Sequence, residues 1–192
     1  KGFFGDPVNA ASVEDTFQFA PTNFLASTAS GKVPLISDSL QFEITAKSGN
    51  IKGINISESG IFEINGAGFV SAAGSITILN LDNAAESVTS FVQITSSVPM
   101  SSAGTGKTEG TWNGLGSIDL QGRDWSHIGV TITNNLFAAN SSGLVSLIKK
   151  STVGTGSGGE LNVQILIPEP ATLAIFGLGI LIFPCTKKRF HL

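Results

Sequence analysis

His127 is the natural starting point for any chemistry in this chain. The sequence has two histidines, His127 and His191, and His191 lies beyond a long apolar stretch near the end. His127 stands in the run GRDWSHIGV (122–130), beside Asp124 and Ser126. A base, a carboxylate and a hydroxyl are the ingredients of nucleophilic catalysis, but that chemistry also needs a sharp turn presenting the nucleophile, and no G-x-S-x-G stands here. A lone histidine opening a strand is read as structural. Glu14, Asp15, Asp119 and Asp124 are carboxylates that could form a glycosidase pair if folding brought two of them together, although solvation of a surface accounts for them more simply. Gly106-Lys107-Thr108 matches the end of a phosphate-binding loop. The full pattern needs a glycine five positions earlier, where this chain has Ser101, and the segment reads as a Gly/Ser turn. No D-x-[DN]-x-[DN]-G calcium loop occurs.

Two tryptophans carry the remaining binding chemistry. Trp112 and Trp125 could stack on a sugar ring through their flat apolar faces, while packing in or over the core is the simpler role. Asn55-Ile56-Ser57 and Asn140-Ser141-Ser142 fit the N-glycosylation pattern, a three-residue match that is read as coincidence. The only cysteine is Cys185, so no internal disulfide can form and no multi-cysteine metal site can be built. No catalytic residue, cofactor site or metal site is assigned, and the chain is expected not to be an enzyme.

The elements that would position these residues are strands. In SLQFEIT, Leu40, Phe42 and Ile44 alternate with Gln41, Glu43 and Thr45, the period of a strand with one buried face. Ile54 and Ile56 continue this after a KSGN turn. Ser59-Gly60 reads as another turn, and Phe62 and Ile64 form a further strand. The alternation recurs through Ile76 and Ile78, through Val88, Val92 and Ile94 with Phe91 out of phase, and through Ile118 and Leu120. It recurs again through Ile128, Val130 and Ile132, and through Leu161, Val163 and Ile165. GLVSLIKK (143–150) fits a strand or a short helix, and Phe17 and Phe19 suggest a short first strand. About nine short strands predict an all-β fold, an antiparallel, jelly-roll-like β-sandwich over residues 1–167. Charged side chains make up 13% of the chain, about half the share of an average globular domain. Residues 1–167 hold eight basic and thirteen acidic side chains, which argues against nucleic acid as a partner.

The last 25 residues, PEPATLAIFGLGILIFPCTKKRFHL, are different in kind. Pro168-Glu169-Pro170 forbids continuous helix or strand. An apolar run of thirteen residues, 171–183, follows, shorter than the roughly twenty of a full membrane span. Lys187, Lys188 and Arg189 then form a basic cluster that the positive-inside rule keeps in the cytoplasm. The three parts in this order resemble the PEP-CTERM sorting signal, and the resemblance covers residues 168–189. Pro184 and the terminal residues 190–192 depart from the usual pattern.

What the resemblance implies is transport. Such chains are cargo of an exosortase, a membrane-embedded processing protease, and are held in the inner membrane by a C-terminal hydrophobic helix before processing. The implied location is the envelope, cell surface or extracellular matrix of a Gram-negative-type bacterium, and numbering from Lys1 fits a signal peptide already removed. Three functions follow as expectations. The first is an exported structural protein of the surface or matrix that could assemble with other copies of itself. The second is a carbohydrate-binding module for extracellular polysaccharide, marked by solvent exposure of Trp112 or Trp125. The third is a secreted hydrolase.

Overall fold

A computed structural model describes residue 4 and residues 7–9, 15–21, 23–30, 32–150 and 161–167. The sorting motif at Pro168, Glu169 and Pro170, the expected hydrophobic helix, the basic cluster at Lys187, Lys188 and Arg189, and Glu14 all lie outside the described residues.

The described residues form thirteen strands and no helix: β1 (Pro7–Asn9), β2 (Thr16–Phe19), β3 (Leu25–Ser27), β4 (Leu35–Thr45), β5 (Gly53–Asn65), β6 (Gly68–Asn80), β7 (Ser87–Phe91), β8 (Gln93–Ser96), β9 (Ser101–Ser102), β10 (Lys107–Asp119), β11 (His127–Asn140), β12 (Ser146–Lys150) and β13 (Leu161–Leu166). They make two antiparallel sheets, a β-sandwich. The first sheet runs β1-β2-β13-β5-β10-β8, with β12 also paired to β5 and β3 paired to β12. The second runs β4-β11-β6-β7, with β9 on β6.

β5 organises the first sheet. One edge pairs with β10 from end to end. The other is shared: β13 takes Gly53–Glu58 and β12 takes Gly60–Ile64. In the second sheet β11 holds β4 on one side and β6 on the other. Even-numbered side chains of β5 and β11 point inward, so Ile54, Ile56, Phe62 and Ile64 meet Ile128, Val130, Ile132 and Leu136 in one shared core. Burying a side chain of this size is worth about 1.5–3 kcal/mol, and this stabilises the sandwich without a disulfide.

The all-β sandwich agrees with the hydrophobic period, but several boundaries differ from it. The strands number thirteen among the described residues, not about nine, partly because β1, β3 and β9 are only two or three residues long. Ser59-Gly60 is not a turn: β5 runs straight through it. Gly60 is a packing glycine, since a Cβ there would overlap Trp112 Nε1 and the Lys149 carbonyl oxygen. The run 88–94 is not one strand either. It breaks at Val92, whose amide donates to Gly74 O at 2.9 Å, and β7 and β8 lie in different sheets. GLVSLIKK ends as the strand β12, fixed by pairing to β3 and β5.

Candidate functional site: a buried Glu–Lys–Asn cluster between the sheets

Three polar residues occupy inward positions where the pattern demands apolar ones. Glu58 lies midway along β5, Lys150 ends β12, and Asn134 faces both from β11 in the opposite sheet. Their exposures are 4%, 5% and 1%. Lys150 Nζ is ion-paired and hydrogen-bonded to Glu58 Oε2. Asn134 Nδ2 donates to the same oxygen at 2.8 Å. Asn134 Oδ1 is buried and accepts no hydrogen bond from the described residues.

The sheets make room for Glu58 and Asn134 in the same way. The cross-strand neighbour of Glu58 on β10 is Gly114, that of Asn134 on β6 is Gly74, and that of Lys150 on β5 is Gly60. A Cβ on Gly114 would stand 2.7 Å from Glu58 Cγ, and one on Gly74 would stand 2.5 Å from Asn134 Oδ1. Phe4 and Phe24 close the apolar side, their ring centres 5.3 and 5.2 Å from Lys150 Nζ. Rings at that distance attract the ammonium through their faces while excluding water. Burial pushes the Lys150 pKa below the ordinary lysine value, against the opposing pull of Glu58. The cluster is thus a desolvated amine, a carboxylate positioned to exchange protons with it, and a carboxamide on the same carboxylate oxygen.

The residues singled out from sequence lie elsewhere. His127 opens β11 at the rim, half-buried, with Nδ1 3.7 Å from Asp82 Oδ1 and Nε2 3.8 Å from Glu43 Oε2. Asp124, in the loop after β10, accepts from Asn50 Nδ2 at 2.9 Å, and Asp119, the last residue of β10, accepts from the Gln121 amide at 2.8 Å; both are exposed. Lys107 opens β10, with Nζ 3.1 Å from Glu63 and a second pairing to Glu109, so the Gly106-Lys107-Thr108 motif leads into a strand. Among the described residues no group of three His, Cys, Asp or Glu side chains could hold a metal ion, and no helix is long and apolar enough to cross a membrane.

Neither tryptophan offers a face to solvent. Trp112 is 0% exposed, and its Nε1 donates to Lys149 O at 3.3 Å. Trp125 is 3% exposed. Its Nε1 donates to Glu86 Oε2 at 2.7 Å, and the Arg123 guanidinium lies 4.8 Å from its ring centre. That indole bond, followed by those of Asn80 and Asn83, holds the Glu86 carboxyl below the usual glutamate range. The stacking platform expected of a sugar-binding surface is therefore not formed by Trp112 and Trp125.

No protein-family model matches the chain, and no curated protein matches it in sequence. Distantly similar solved structures include two of infectious bursal disease virus. "Structure of infectious bursal disease virus Gx strain" aligns at 14% identity over 89% of this chain and 49% of that one, with a TM-score of 0.27. "Crystal structure of infectious bursal disease virus VP2 subviral particle" aligns at 16% identity over 88% and 49%, with a TM-score of 0.25. The chain spans about half the length of either.

Sequence reasoning missed Glu58, Lys150 and Asn134, and the missed signal is simple. Each sits in the buried phase of its strand: Glu58 with Ile54, Ile56 and Phe62, Asn134 with Ile132 and Leu136, Lys150 with Ile148. A charge in the inward phase of a regular strand needs a buried partner.

Proposed function

We propose that this chain is an exported structural protein of the bacterial surface or extracellular matrix, delivered through its C-terminal tail. One observation carries the reading: Pro168-Glu169-Pro170, the apolar run 171–183 and Lys187-Lys188-Arg189 follow one another at the end of the sequence. In this reading 171–183 is a hydrophobic helix held in the inner membrane, an exosortase-type protease is the processing partner, and residues 1–167 are a jelly-roll-like domain displayed outside. A core that needs no disulfide supports this. So do outer faces rich in hydroxyls, such as Ser39 Oγ on Thr133 Oγ1 at 3.0 Å and Thr77 Oγ1 on Thr89 Oγ1 at 2.9 Å. Among the described residues β4 stands at the edge of its sheet, a position at which a strand of a second copy could add. A carbohydrate-binding module would have to use residues other than Trp112 and Trp125.

The test is the C-terminal mass of the protein from its native cells, fraction by fraction. Extracellular protein ending near Pro168–Pro170 is the expected result. Full-length protein ending at Leu192 and confined to the soluble cytoplasm would overturn the reading.

A further inference from the structure

The buried cluster has a composition that a purely structural ion pair does not need. An ion pair requires two partners, and here a third group, a carboxamide from the opposite sheet, shares the same carboxylate oxygen. We infer that Lys150 and Asn134 are a self-modifying pair, joined by an isopeptide bond from Lys150 Nζ to Asn134 Cγ that forms with Glu58 as proton carrier and releases ammonia.

The geometry brings the reactants together. Lys150 Nζ and Asn134 Nδ2 both hydrogen-bond Glu58 Oε2. Two donors on one acceptor lie within about 6 Å of each other, and Asn134 Cγ is one covalent bond from Nδ2. Holding reactants at such range in fixed orientation replaces a bimolecular encounter by an intramolecular one. Phe4 and Phe24 keep the amine dry, and a desolvated lysine gives up its proton more readily and becomes a nucleophile. Gly114 and Gly74 admit the Glu58 and Asn134 side chains between the sheets, since a Cβ on either glycine would overlap them.

The step balances without any added reagent. Lys150 passes one ammonium proton to Glu58, and the free Nζ pair attacks Asn134 Cγ. Glu58 protonates the oxygen anion formed at Oδ1, accepts a proton from the now cationic Nζ, and delivers it to Nδ2. The Cγ–Nδ2 bond breaks, ammonia leaves with the bonding pair, and the proton on Oδ1 returns to Glu58. An ammonium, a carboxylate and a carboxamide have become an amide, a carboxylic acid and ammonia, with no change in net charge and no oxidation. The product also settles two costs of the starting state. The buried charges disappear, and the carbonyl oxygen that lacked a donor gains the Glu58 hydroxyl.

The experiment is intact mass and peptide mapping of the folded full chain, made recombinantly. The expected result is a mass below that of the sequence by one ammonia, about 17 Da. Trypsin cuts after Lys149 and would leave Asn134 and Lys150 on separate peptides; the bond instead holds those two peptides together. Lys150→Met and Asn134→Ala should show full mass, and Glu58→Gln should slow bond formation by about 100-fold or more. Chain kept in denaturant from purification onward should have full mass and lose ammonia only on refolding, which tests the inference even where a variant does not fold. Folded wild-type protein at full mass with separable peptides would overturn it. So would loss of a water, with Lys150 linked to Glu58, or loss of ammonia that persists in Lys150→Met.

Discussion

Replacing Gly60 by alanine tests the packing of β5 most sharply. Gly60 faces inward between Trp112 on β10 and Lys150 on β12. A methyl there would overlap the Trp112 indole nitrogen and the Lys149 carbonyl oxygen. The indole could shift only by giving up its hydrogen bond to that same carbonyl, and the carbonyl belongs to a strand held on both sides. Overpacking of a filled core costs about 1–3 kcal/mol, and a lost buried hydrogen bond adds about 1 kcal/mol. Alanine returns about 0.5 kcal/mol by restricting the unfolded chain. The net loss is about 1.5–3.5 kcal/mol, which for a chain of this length lowers Tm by roughly 3–14 °C. Gly106→Ala is the matched control. A Cβ there meets nothing within 4 Å, so stability should stay within about 0.5 kcal/mol. Urea unfolding followed by tryptophan fluorescence reads both variants. If Gly60→Ala unfolds at the same urea concentration as Gly106→Ala, the close approach of indole and β5 is refuted, and Ser59-Gly60 returns to being a turn.

Three further outcomes follow from other contacts. Trp125→Phe keeps the ring but removes the indole donor, so the Glu86 carboxyl should titrate closer to the ordinary glutamate value, read by NMR of the side-chain carboxyl. A depressed carboxylate contributes stability that is present above its unfolded pKa and lost as pH falls through the folded one. Glu86→Gln should therefore lose less Tm than wild type between neutral pH and pH near 3, and equal losses would show that Glu86 contributes nothing to the acid limb. Phe91 and Val92 should behave oppositely despite being neighbours. Phe91 is 72% exposed and Phe91→Ser should change stability by less than about 0.5 kcal/mol, whereas Val92→Ser buries a hydroxyl beside Gly74 and should cost about 1–3 kcal/mol by thermal unfolding.

The class of fold was legible because the period of two is strong where one face is buried. β4, β11 and β13 were readable from Phe42, Val130 and Val163 and their neighbours. What could not be read was the meaning of a single glycine. Gly60 carries the same local signal as a turn glycine, and only the indole from β10, far along the chain, shows that it is there for space. Val92 has the same difficulty: its run alternates without a gap, yet a hydrogen bond to Gly74 on another strand divides it between sheets. The cluster was hidden for a related reason. Glu58, Asn134 and Lys150 are distant in sequence, and each alone resembles an ordinary polar residue at the end or middle of a strand. Their common inward phase becomes informative only when three strands are aligned.

β13 has a mechanical consequence. It is the last described strand before the tail, yet it does not lie at an edge: β2 flanks it on one side and β5 on the other, both antiparallel. Tension entering the domain from beyond Ile167 along the strand direction would load both ladders in shear, with their hydrogen bonds sharing the force together. An edge strand peeled from its end would surrender them one at a time. A tether placed at this end of the sequence pulls on the middle of the sheet, where the sandwich resists extraction most strongly.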